Sequence, residues 1–331
     1  MPNANLLASA FKTDATSRDM TESLPPTKDG IAKAARLLAG GALVAFPTET
    51  VYGLGGDARD DLAVARIFEA KGRPRFNPLI VHVETLAAAE ALAEFDVQAR
   101  MLAAAFWPGP LTLVLPLRDA AGLSPLVTVG LSTVAIRVPA HPVALALLAA
   151  FKGPLAAPSA NPSGRVSPTR AGHVLDSLSG RIAAVLDGGA SAVGLESTIV
   201  TLNPVPTVLR PGGLPVEVLE AALGQPLVAG GDAAAPTAPG QLASHYAPHA
   251  QLRLNAVRAR AGEVLIGFGD VAGDLTLSAS GDLVEAAASL FHVLQHVDAM
   301  ATRIAVAPVP DTGLGRAIND RLSRAAAPRH Q

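Results

Sequence analysis

The sequence contains no cysteine and few aromatic residues, with Phe, Trp and Tyr making up 4% of its 331 residues. The absence of cysteine excludes disulfides, zinc–thiolate sites and a cysteine nucleophile, which is typical of proteins in a reducing compartment. Long apolar runs are also missing, because stretches such as residues 143–151 soon meet Gly, Pro or charge. The first residues lack the basic and apolar segments of a signal peptide. We therefore expect a cytoplasmic protein with no membrane contact.

A surplus of positive charge is missing as well, since the formal net charge is -2. Broad binding to nucleic acid requires many Lys and Arg side chains to displace phosphate counterions, so any contact with RNA is expected to be indirect or weak. The P-loop pattern G-x-x-x-x-G-K-[ST] does not occur, and neither do H-E-x-x-H and G-x-S-x-G. The sequence therefore gives no support for ATP binding through a P-loop or for the common hydrolase mechanisms.

Apolar residues, by contrast, make up 50% of the chain, which is enough to bury a large core at this length. Short β-rich runs alternate with alanine-rich stretches, a pattern that predicts an α/β fold. We predict a flexible tail at residues 1–28, a large α/β domain at 29–223, a Gly- and Pro-rich linker at 224–250 and a smaller α/β domain at 251–331.

A predicted strand at residues 42–46 runs into the segment PTETVYGLGGDA, which we interpret as a loop. Ligands of open α/β sheets bind beyond such strand ends, where Thr48 and Thr50 each offer a hydroxyl. In the same segment Gly53, Gly55 and Ala58 match the loose dinucleotide pattern G-x-G-x-x-A. Six residues separate Phe46 from Gly53, which is a poor fit to a tight strand-to-helix turn. A dinucleotide-binding protein remains an alternative, as does an ordinary polar turn.

A basic cluster follows the predicted helix at residues 62–70, with Lys71, Arg73 and Arg75 just before another apolar strand. Such a density of cations favours a phosphate site, since guanidinium and ammonium groups neutralise a polyphosphate. A solvated basic turn that complements the helix dipole is the alternative. His82 lies within the apolar strand, where a histidine by itself is more often a core residue than a ligand.

Further polar residues lie in or near predicted strand ends, where a buried Arg or Asn needs a partner and a ligand could be that partner. These positions are Thr133, Arg137, Ser159, Asn161, Ser163, Ser167, Ser197, Thr198 and Arg210.

Taken together, several motifs resemble those of the YrdC family in sequence and order. They are PTETVYGLG, Lys71 and Arg73 as K-x-R, NPLIVH, WPGPLT, Ser159 and Asn161 as S-x-N, ESTIV and LRPGG. The resemblance covers about residues 29–223, and the segment around SHYAP is similar to the long, two-domain members that make threonylcarbamoyl-AMP. It implies a twisted mixed sheet with flanking helices, plus a smaller Rossmann-like C-terminal domain.

The resemblance also implies a reaction and a site. Threonine, bicarbonate and ATP would give threonylcarbamoyl-AMP and pyrophosphate, with Mg²⁺ carried by ATP and no dedicated metal ligands, and a separate complex would transfer the product to tRNA. Threonine binding falls to Thr50, His82, Arg137, Ser159 and Ser197. ATP binding falls to Lys71, Arg73, Asn77, Thr133, Ser159, Asn161, Ser167, Arg210 and Tyr246. Lys71, Arg73, Ser159 and Asn161 are the expected catalytic residues.

Two other functions stay open on the sequence alone. The basic cluster is also compatible with a non-catalytic RNA-binding module. A carbamoyl-phosphate-handling enzyme is compatible with the resemblance, although such proteins carry a zinc finger and this chain has no cysteine.

Overall fold

A computed structural model describes residues 20–74, 76–230, 238–240 and 244–328. Most of the described chain up to residue 230 belongs to a unit built on one large sheet. Its strands are β1 (Glu22–Leu24), β2 (Val44–Phe46), β3 (Gly53–Asp57), β4 (Ile80–His82), β5 (Leu111–Pro116), β6 (Thr133–Arg137), β7 (Leu155–Ala156), β8 (Ala184–Leu186), β9 (Thr198–Thr201), β10 (Thr207–Arg210) and β11 (Val228–Ala229). Its helices are α1 (Lys28–Ala39), α2 (Asp61–Lys71), α3 (Leu86–Glu90), α4 (Val97–Phe106), α5 (Pro125–Thr128), α6 (Pro142–Phe151), α7 (Ala171–Leu178) and α8 (Val216–Leu223).

The large sheet has the strand order β1-β8-β2-β3-β7-β4-β6-β5-β9-β10-β11 and mixes parallel with antiparallel pairs. The parallel pair β4 and β6 positions the site, because its register sets His82 directly opposite Arg137 at the ends of both strands. Helices flank this sheet, so the mixed α/β class predicted from the sequence is confirmed.

Short polar residues fix where the helices begin. The side chains of Thr27, Asp60 and Asp96 accept backbone N–H groups at the starts of α1, α2 and α4, and such caps are each worth about 1 kcal/mol. Helix α2 ends at Gly72, which adopts a left-handed conformation with φ 58°. This turn sends the chain back toward the sheet and fixes the positions of Lys71 and Arg73.

The prediction of a continuous loop after residue 46 is wrong, because Gly53–Asp57 is strand β3 and pairs with β2 in antiparallel fashion. The glycines are needed for close packing: a Cβ on Gly55 would lie 3.0 Å from the Phe46 ring. Because Gly53 and Gly55 lie within a strand and not in a strand-to-helix turn, the dinucleotide-binding alternative is overturned.

The alanine-rich stretch at residues 86–106 predicts one continuous helix, but the structure interrupts it between α3 and α4. Backbone groups in this interval pair with the end of β5 and the residues just after it, since Glu94 N donates to Pro116 O and Arg118 N donates to Leu92 O. Helix α8 was not predicted.

The predicted tail and linker also contain regular structure where they are described. Glu22–Leu24 of the predicted tail forms β1 beside β8, and Val228–Ala229 of the predicted linker forms β11 beside β10. Residues 1–19, 231–237 and 241–243 of these segments lie outside the described residues, as does Arg75 of the basic cluster.

A second unit follows near residue 251, as a small parallel sheet in the order β12-β15-β13-β14. Its elements are β12 (Gln251–Arg253), β13 (Val264–Gly267), β14 (Leu275–Thr276), α9 (Leu283–Asp298), β15 (Arg303–Val306) and α10 (Leu314–Ala326). This agrees with the predicted small α/β domain. None of the described helices is both long and apolar enough to span a bilayer.

The two units share a hydrophobic core. Val51, Val166 and Leu195 of the first unit pack into the cluster that contains Leu290 and Phe291 of α9. The described part of the linker lies against the first unit as well, because Ala238 is buried on the face of the large sheet.

Candidate active site

A cavity lies where β2, β4 and β6 end, and the first hydroxyls that line it come from the segment between β2 and β3. The Thr48 hydroxyl donates to Val51 O at 2.6 Å and lies 2.7 Å from the Thr50 hydroxyl. Thr50 in turn accepts a hydrogen bond from Arg137 Nη1 at 2.8 Å. The backbone turn and the buried arginine together fix the Thr50 hydroxyl.

Arg137 is a buried cation with an acidic partner that the sequence reasoning missed. Its Nη2 lies 2.6 Å from Oε1 of Glu49, and its Nε donates to Gly109 O. A buried arginine is tolerated only where its charge and N–H groups are compensated. Glu49 compensates the charge, and the hydrogen bonds to Thr50 and Gly109 hold the guanidinium at the cavity wall.

His82 is a neutral imidazole beside this arginine. Burial and the positive charge of Arg137 lower the pKa of His82 to about 3. Its ring meets Phe46 edge to face, and its buried Nδ1 has no hydrogen-bond partner among the described residues. The imidazole can therefore bind a polar ligand, but at neutral pH it is too weakly basic to be an efficient proton acceptor.

Lys71 and Arg73 are buried, at 3% and 7% exposure, so the interpretation as a solvated basic turn is wrong for both. Nζ of Lys71 donates to the backbone oxygens of Ser159 and Asn161, which ties the end of α2 to the segment after β7. Nη2 of Arg73 donates to Pro78 O at 2.9 Å, and its Nε donates to Asn77 O. Burial and the charge of Arg73 lower the pKa of Lys71 well below its ordinary value.

Ser197 and Arg210 form the opposite wall of the cavity. The Ser197 hydroxyl lies 2.7 Å from that of Thr112, and Nη2 of Arg210 donates to Ser197 O at 2.8 Å. A Cβ on Gly212 would lie 2.3 Å from the backbone oxygen of Glu196, so this wall also depends on a close backbone approach.

The carboxylate of Glu196 lines the cavity next to Ser197 and was not predicted. It accepts hydrogen bonds from the Ser167 hydroxyl and from Nε of Arg321, the latter at 2.7 Å. Burial alone would raise the pKa of Glu196, but Arg321 and Arg210 hold it below the ordinary value, so the group is ionised at neutral pH. The ESTIV motif contained this carboxylate, whereas its partner Arg321 is 125 residues further along the chain.

Described residues of the linker cover the cavity. Pro239, Gly240, His245 and Tyr246 all line it, and Nη1 of Arg210 donates to Pro239 O at 3.3 Å. The Tyr246 ring stacks on Phe291 with 5.7 Å between centroids. The volume enclosed is about 50 Å³, well below the roughly 300 Å³ or more of most ligand pockets.

The structure brings most of the predicted site residues to this cavity. Those that line it are Thr50, Arg73, His82, Arg137, Ser159, Ser197, Arg210 and Tyr246. Lys71, Asn77, Asn161 and Ser167 do not line it but each bonds to a neighbour of the site. Thr133 is four residues before Arg137 on the same strand and shares its face of the sheet.

Buried polar atoms without a hydrogen-bond partner in the described part of the chain gather around the cavity. They include both amide atoms of Asn77, Oδ1 of Asn161, Nε of Arg210, Nδ1 of His245 and the Tyr246 hydroxyl. Because buried polar groups are nearly always paired, such a cluster indicates a place for a polar ligand. Fold and cavity are those of an α/β enzyme with a polar ligand site at strand ends, beneath a cover formed by the segment between the two units.

Comparison with known proteins identifies the family. The family model Sua5_yciO_yrdC, described as "Telomere recombination", matches residues 36–212, and the model "Threonylcarbamoyl-AMP synthase, C-terminal domain" matches residues 214–327. The chain therefore belongs to the Sua5–YciO–YrdC family, in the long form that carries the C-terminal domain of threonylcarbamoyl-AMP synthases.

Individual relatives agree with this assignment over nearly the whole chain. A threonylcarbamoyl-AMP synthase from Pyrococcus abyssi is 43% identical over 88% of this chain and 93% of its own length. One from Bacillus subtilis is 43% identical over 94% of this chain and 97% of its own length. The crystal structure of P. abyssi Sua5 complexed with L-threonine superposes with a TM-score of 0.85 at 40% identity, covering 93% of this chain and 97% of that one.

Proposed function

We propose that this protein makes L-threonylcarbamoyl-AMP and pyrophosphate from L-threonine, bicarbonate or CO2, and ATP, as the first step of threonylcarbamoyladenosine formation in tRNA. The observation that carries the proposal is a single covered cavity in which buried cations face hydroxyls and a neutral imidazole. Membership of a family whose relatives bear the name threonylcarbamoyl-AMP synthase supplies the substrate class.

Threonine occupies the part of the cavity formed by Thr50, His82 and Arg137, with Ser159 and Ser197 at its boundary with the nucleotide. Nη1 of Arg137 uses one N–H for Thr50, and its other N–H is available to the threonine carboxylate. Neutral His82 accepts or donates a hydrogen bond without adding charge. Glu49 keeps the arginine oriented while the site is empty.

ATP occupies the part that contains the cations. Lys71 and Arg73 bind the phosphates from one side, and Arg210 binds them from the other. The remaining members of the nucleotide set are polar groups that accept or donate hydrogen bonds around this region: Asn77, Thr133, Ser159, Asn161, Ser167 and Tyr246. Several of these carry the unpartnered atoms described above, which ATP would satisfy.

The chemistry balances with these groups. The neutral threonine amine attacks CO2 and releases one proton to water, which gives a carbamate anion. A carbamate oxygen then attacks the α-phosphorus in line, and the bond to the β-phosphate oxygen breaks as pyrophosphate leaves. Positioning and charge neutralisation are the main requirements of such a transfer, which fits a site rich in fixed cations.

Magnesium enters as part of the ATP substrate. The described residues contain no group of three His, Asp or Glu side chains arranged to hold a metal ion. Glu196 lines the cavity, but its two oxygens already bind Ser167 and Arg321. We expect phosphate oxygens and water as the ligands of Mg²⁺, because this ion demands octahedral geometry and keeps several waters.

The linker acts as a cover that opens for ATP. ATP is much larger than the enclosed space, and the Pro239 carbonyl already occupies a hydrogen-bonding group of Arg210. Displacement of the cover admits the nucleotide, and its return excludes water from a labile mixed anhydride. We expect the product to pass in the cytoplasm to a separate complex that modifies tRNA.

Product analysis tests the proposal. Purified protein is incubated with Mg·ATP, bicarbonate and labelled threonine, and the expected products are pyrophosphate and an adenylate that contains the threonine label. Arg73→Ala should raise the barrier by about 2–4 kcal/mol, as removal of one preorganised donor does. Arg100→Ala, a change at an exposed arginine in an ion pair with Glu90, is the matched control and should leave turnover unchanged.

Two results would contradict the proposal. Product that forms equally well without added bicarbonate in CO2-free buffer would exclude the carbamate step. RNA binding at physiological salt without any adenylate would favour the RNA-binding alternative, which the burial of Lys71 and Arg73 argues against.

A further inference from the structure

Arg321 of helix α10 is fully buried, at 0% exposure, although it belongs to the C-terminal unit and does not line the cavity. A fully buried arginine loses its hydration and is retained only where its partners compensate that loss. Its contacts therefore indicate what it does.

The first contact is with Glu196, whose Oε2 lies 2.7 Å from Nε of Arg321. The other oxygen of Glu196 accepts the Ser167 hydroxyl, and the charge of Arg210 helps to hold the pKa of this carboxyl below its ordinary value. Ser167 and Arg210 are both members of the proposed nucleotide set. One guanidinium in the C-terminal unit thus orients the carboxylate that binds Ser167 and lines the cavity together with Arg210.

The second contact is with the cover. The guanidinium carbon of Arg321 lies 4.9 Å from the centre of the Tyr246 ring, within the range of a cation–π interaction. Phe291 of α9 stacks on the same ring, at 5.7 Å between centroids. The C-terminal unit therefore holds Tyr246 with a cation and an aromatic ring.

Arg321 is itself held in place. Its Nη1 lies 2.6 Å from Oδ2 of Asp320, and the other oxygen of Asp320 accepts a hydrogen bond from Arg324. Its buried Nη2 has no hydrogen-bond partner among the described residues. The threonine end of the cavity, with Thr50, His82 and Arg137, lies outside this set of contacts.

We propose that Arg321 is a positioning residue for the nucleotide: it holds Glu196 and the Tyr246 ring in the arrangement that binds ATP, and it leaves threonine binding unaffected. The C-terminal unit thereby completes the nucleotide site without touching the reacting atoms. This inference rests on the proposed function for its kinetic readout, while direct ATP binding tests it separately.

Arg321→Lys keeps the positive charge but removes the planar guanidinium, whose Nε and Nη1 donate separately to Glu196 and Asp320. We expect it to raise both the KM and the dissociation constant for ATP by about tenfold, the loss expected for one charge-assisted hydrogen bond. The KM for threonine should change less than twofold, because Arg321 makes no hydrogen bond or ion pair with the described residues that bind threonine. A rise in the KM for ATP alone, with kcat unchanged, is the sign of weaker ATP binding. Glu196→Gln should shift the same two ATP constants in the same direction.

Arg316→Met, on the same helix but in an exposed pair with Glu217, is the matched control and should change neither constant. Equal losses for both substrates, unchanged ATP constants, or an Arg321→Lys protein too unstable to assay would assign this arginine to fold stability and overturn the proposal. If the unaltered protein binds ATP but forms no threonylcarbamoyl-AMP, the proposed function fails, and the ATP dissociation constants still decide the role of Arg321.

Discussion

Lys71 shows how a single buried group prepares the site for phosphate. Its ammonium is bound only by the carbonyls of Ser159 and Asn161 among the described residues, with no carboxylate in ion-pair contact. Burial and Arg73 lower its pKa well below the ordinary value, so the empty site disfavours the charged form. A triphosphate would supply the missing negative charge and reverse this preference.

Binding of ATP should therefore take up a proton at Lys71. The charged form of Lys71 binds phosphate. The affinity for ATP is therefore highest below the pKa that Lys71 has without ATP, and it decreases as the pH rises above that pKa. Calorimetric titrations of ATP at several pH values, in buffers of different ionisation enthalpy, should detect this uptake as a heat that depends on the buffer. Lys71→Arg, which stays charged, should show less uptake, and equal uptake in both proteins would contradict the assignment.

Sequence reasoning could identify individual residues only where a local pattern surrounded them. Thr50, Arg137 and Ser197 stand in short motifs beside strands, and the structure brings all of them to one cavity. Arg321 lies in no such motif, and Glu49, although it stands within PTETVYGLG, carried no sign of its role. Their importance comes from pairing with Arg137 and Glu196, and that pairing exists only after distant segments have folded together.

At the scale of elements, the cover over the cavity depends on one glycine. Gly240 has φ +84°, and a Cβ there would lie 2.7 Å from both the Tyr246 hydroxyl and Cδ of Arg210. Gly224, the C-cap of α8, also has a positive φ of +67°, but a Cβ there would meet open space. Alanine at Gly224 therefore adds backbone strain alone, whereas alanine at Gly240 adds the same strain and also a steric clash with Tyr246 and Arg210.

Alanine at either glycine should lower the free energy of unfolding by about 1–2 kcal/mol, because an L-residue is strained in the left-handed region. Only Gly240→Ala should also push Tyr246 and Arg210 apart, raising the KM for ATP severalfold and shortening retention of the product. Denaturant unfolding and steady-state kinetics of both variants measure the two effects. Identical kinetics for the two alanine variants would show that the cover does not shape the site.

Element prediction from the sequence succeeded where apolar runs were strong and failed where glycine obscured the pattern. Strand β3 reads Gly-Leu-Gly-Gly-Asp, which by composition resembles a turn, yet close packing of Phe46 against it requires those glycines. The break between α3 and α4 carries one local signal, the N-cap Asp96, while its pairing with the end of β5 and the residues just after it brings together distant parts of the chain.

At the scale of the whole molecule, a pair of histidines joins the two units. Nε2 of His173 on α7 lies 3.2 Å from Nδ1 of His292 on α9, with the rings stacked at 5.3 Å. Burial, and then the charges of His292 and Arg170, lower the pKa of His173 to about 4, although Asp176 opposes this. Burial, Arg170 and His296 lower the pKa of His292 in the same direction.

Acidification should therefore weaken this interface. Both histidines bind protons more readily in the unfolded chain, so stability is full above about pH 6.5 and falls as the pH drops from there toward 4. One histidine contributes at most about 1.4 kcal/mol per pH unit to the slope of the unfolding free energy against pH. His292→Asn should flatten the pH dependence of the unfolding free energy between pH 7 and 5, measured by denaturant titration, and an unchanged slope would contradict this role.

The shared hydrophobic core limits which C-terminal units could replace the one in this protein. Val51, Val166 and Leu195 are buried against α9 and its neighbours, so each unit supplies part of the other's interior. A C-terminal unit transplanted from a relative would have to match these three side chains in shape, and Glu196 in charge, before the hybrid could fold. The two units therefore behave as co-adapted halves and not as interchangeable modules.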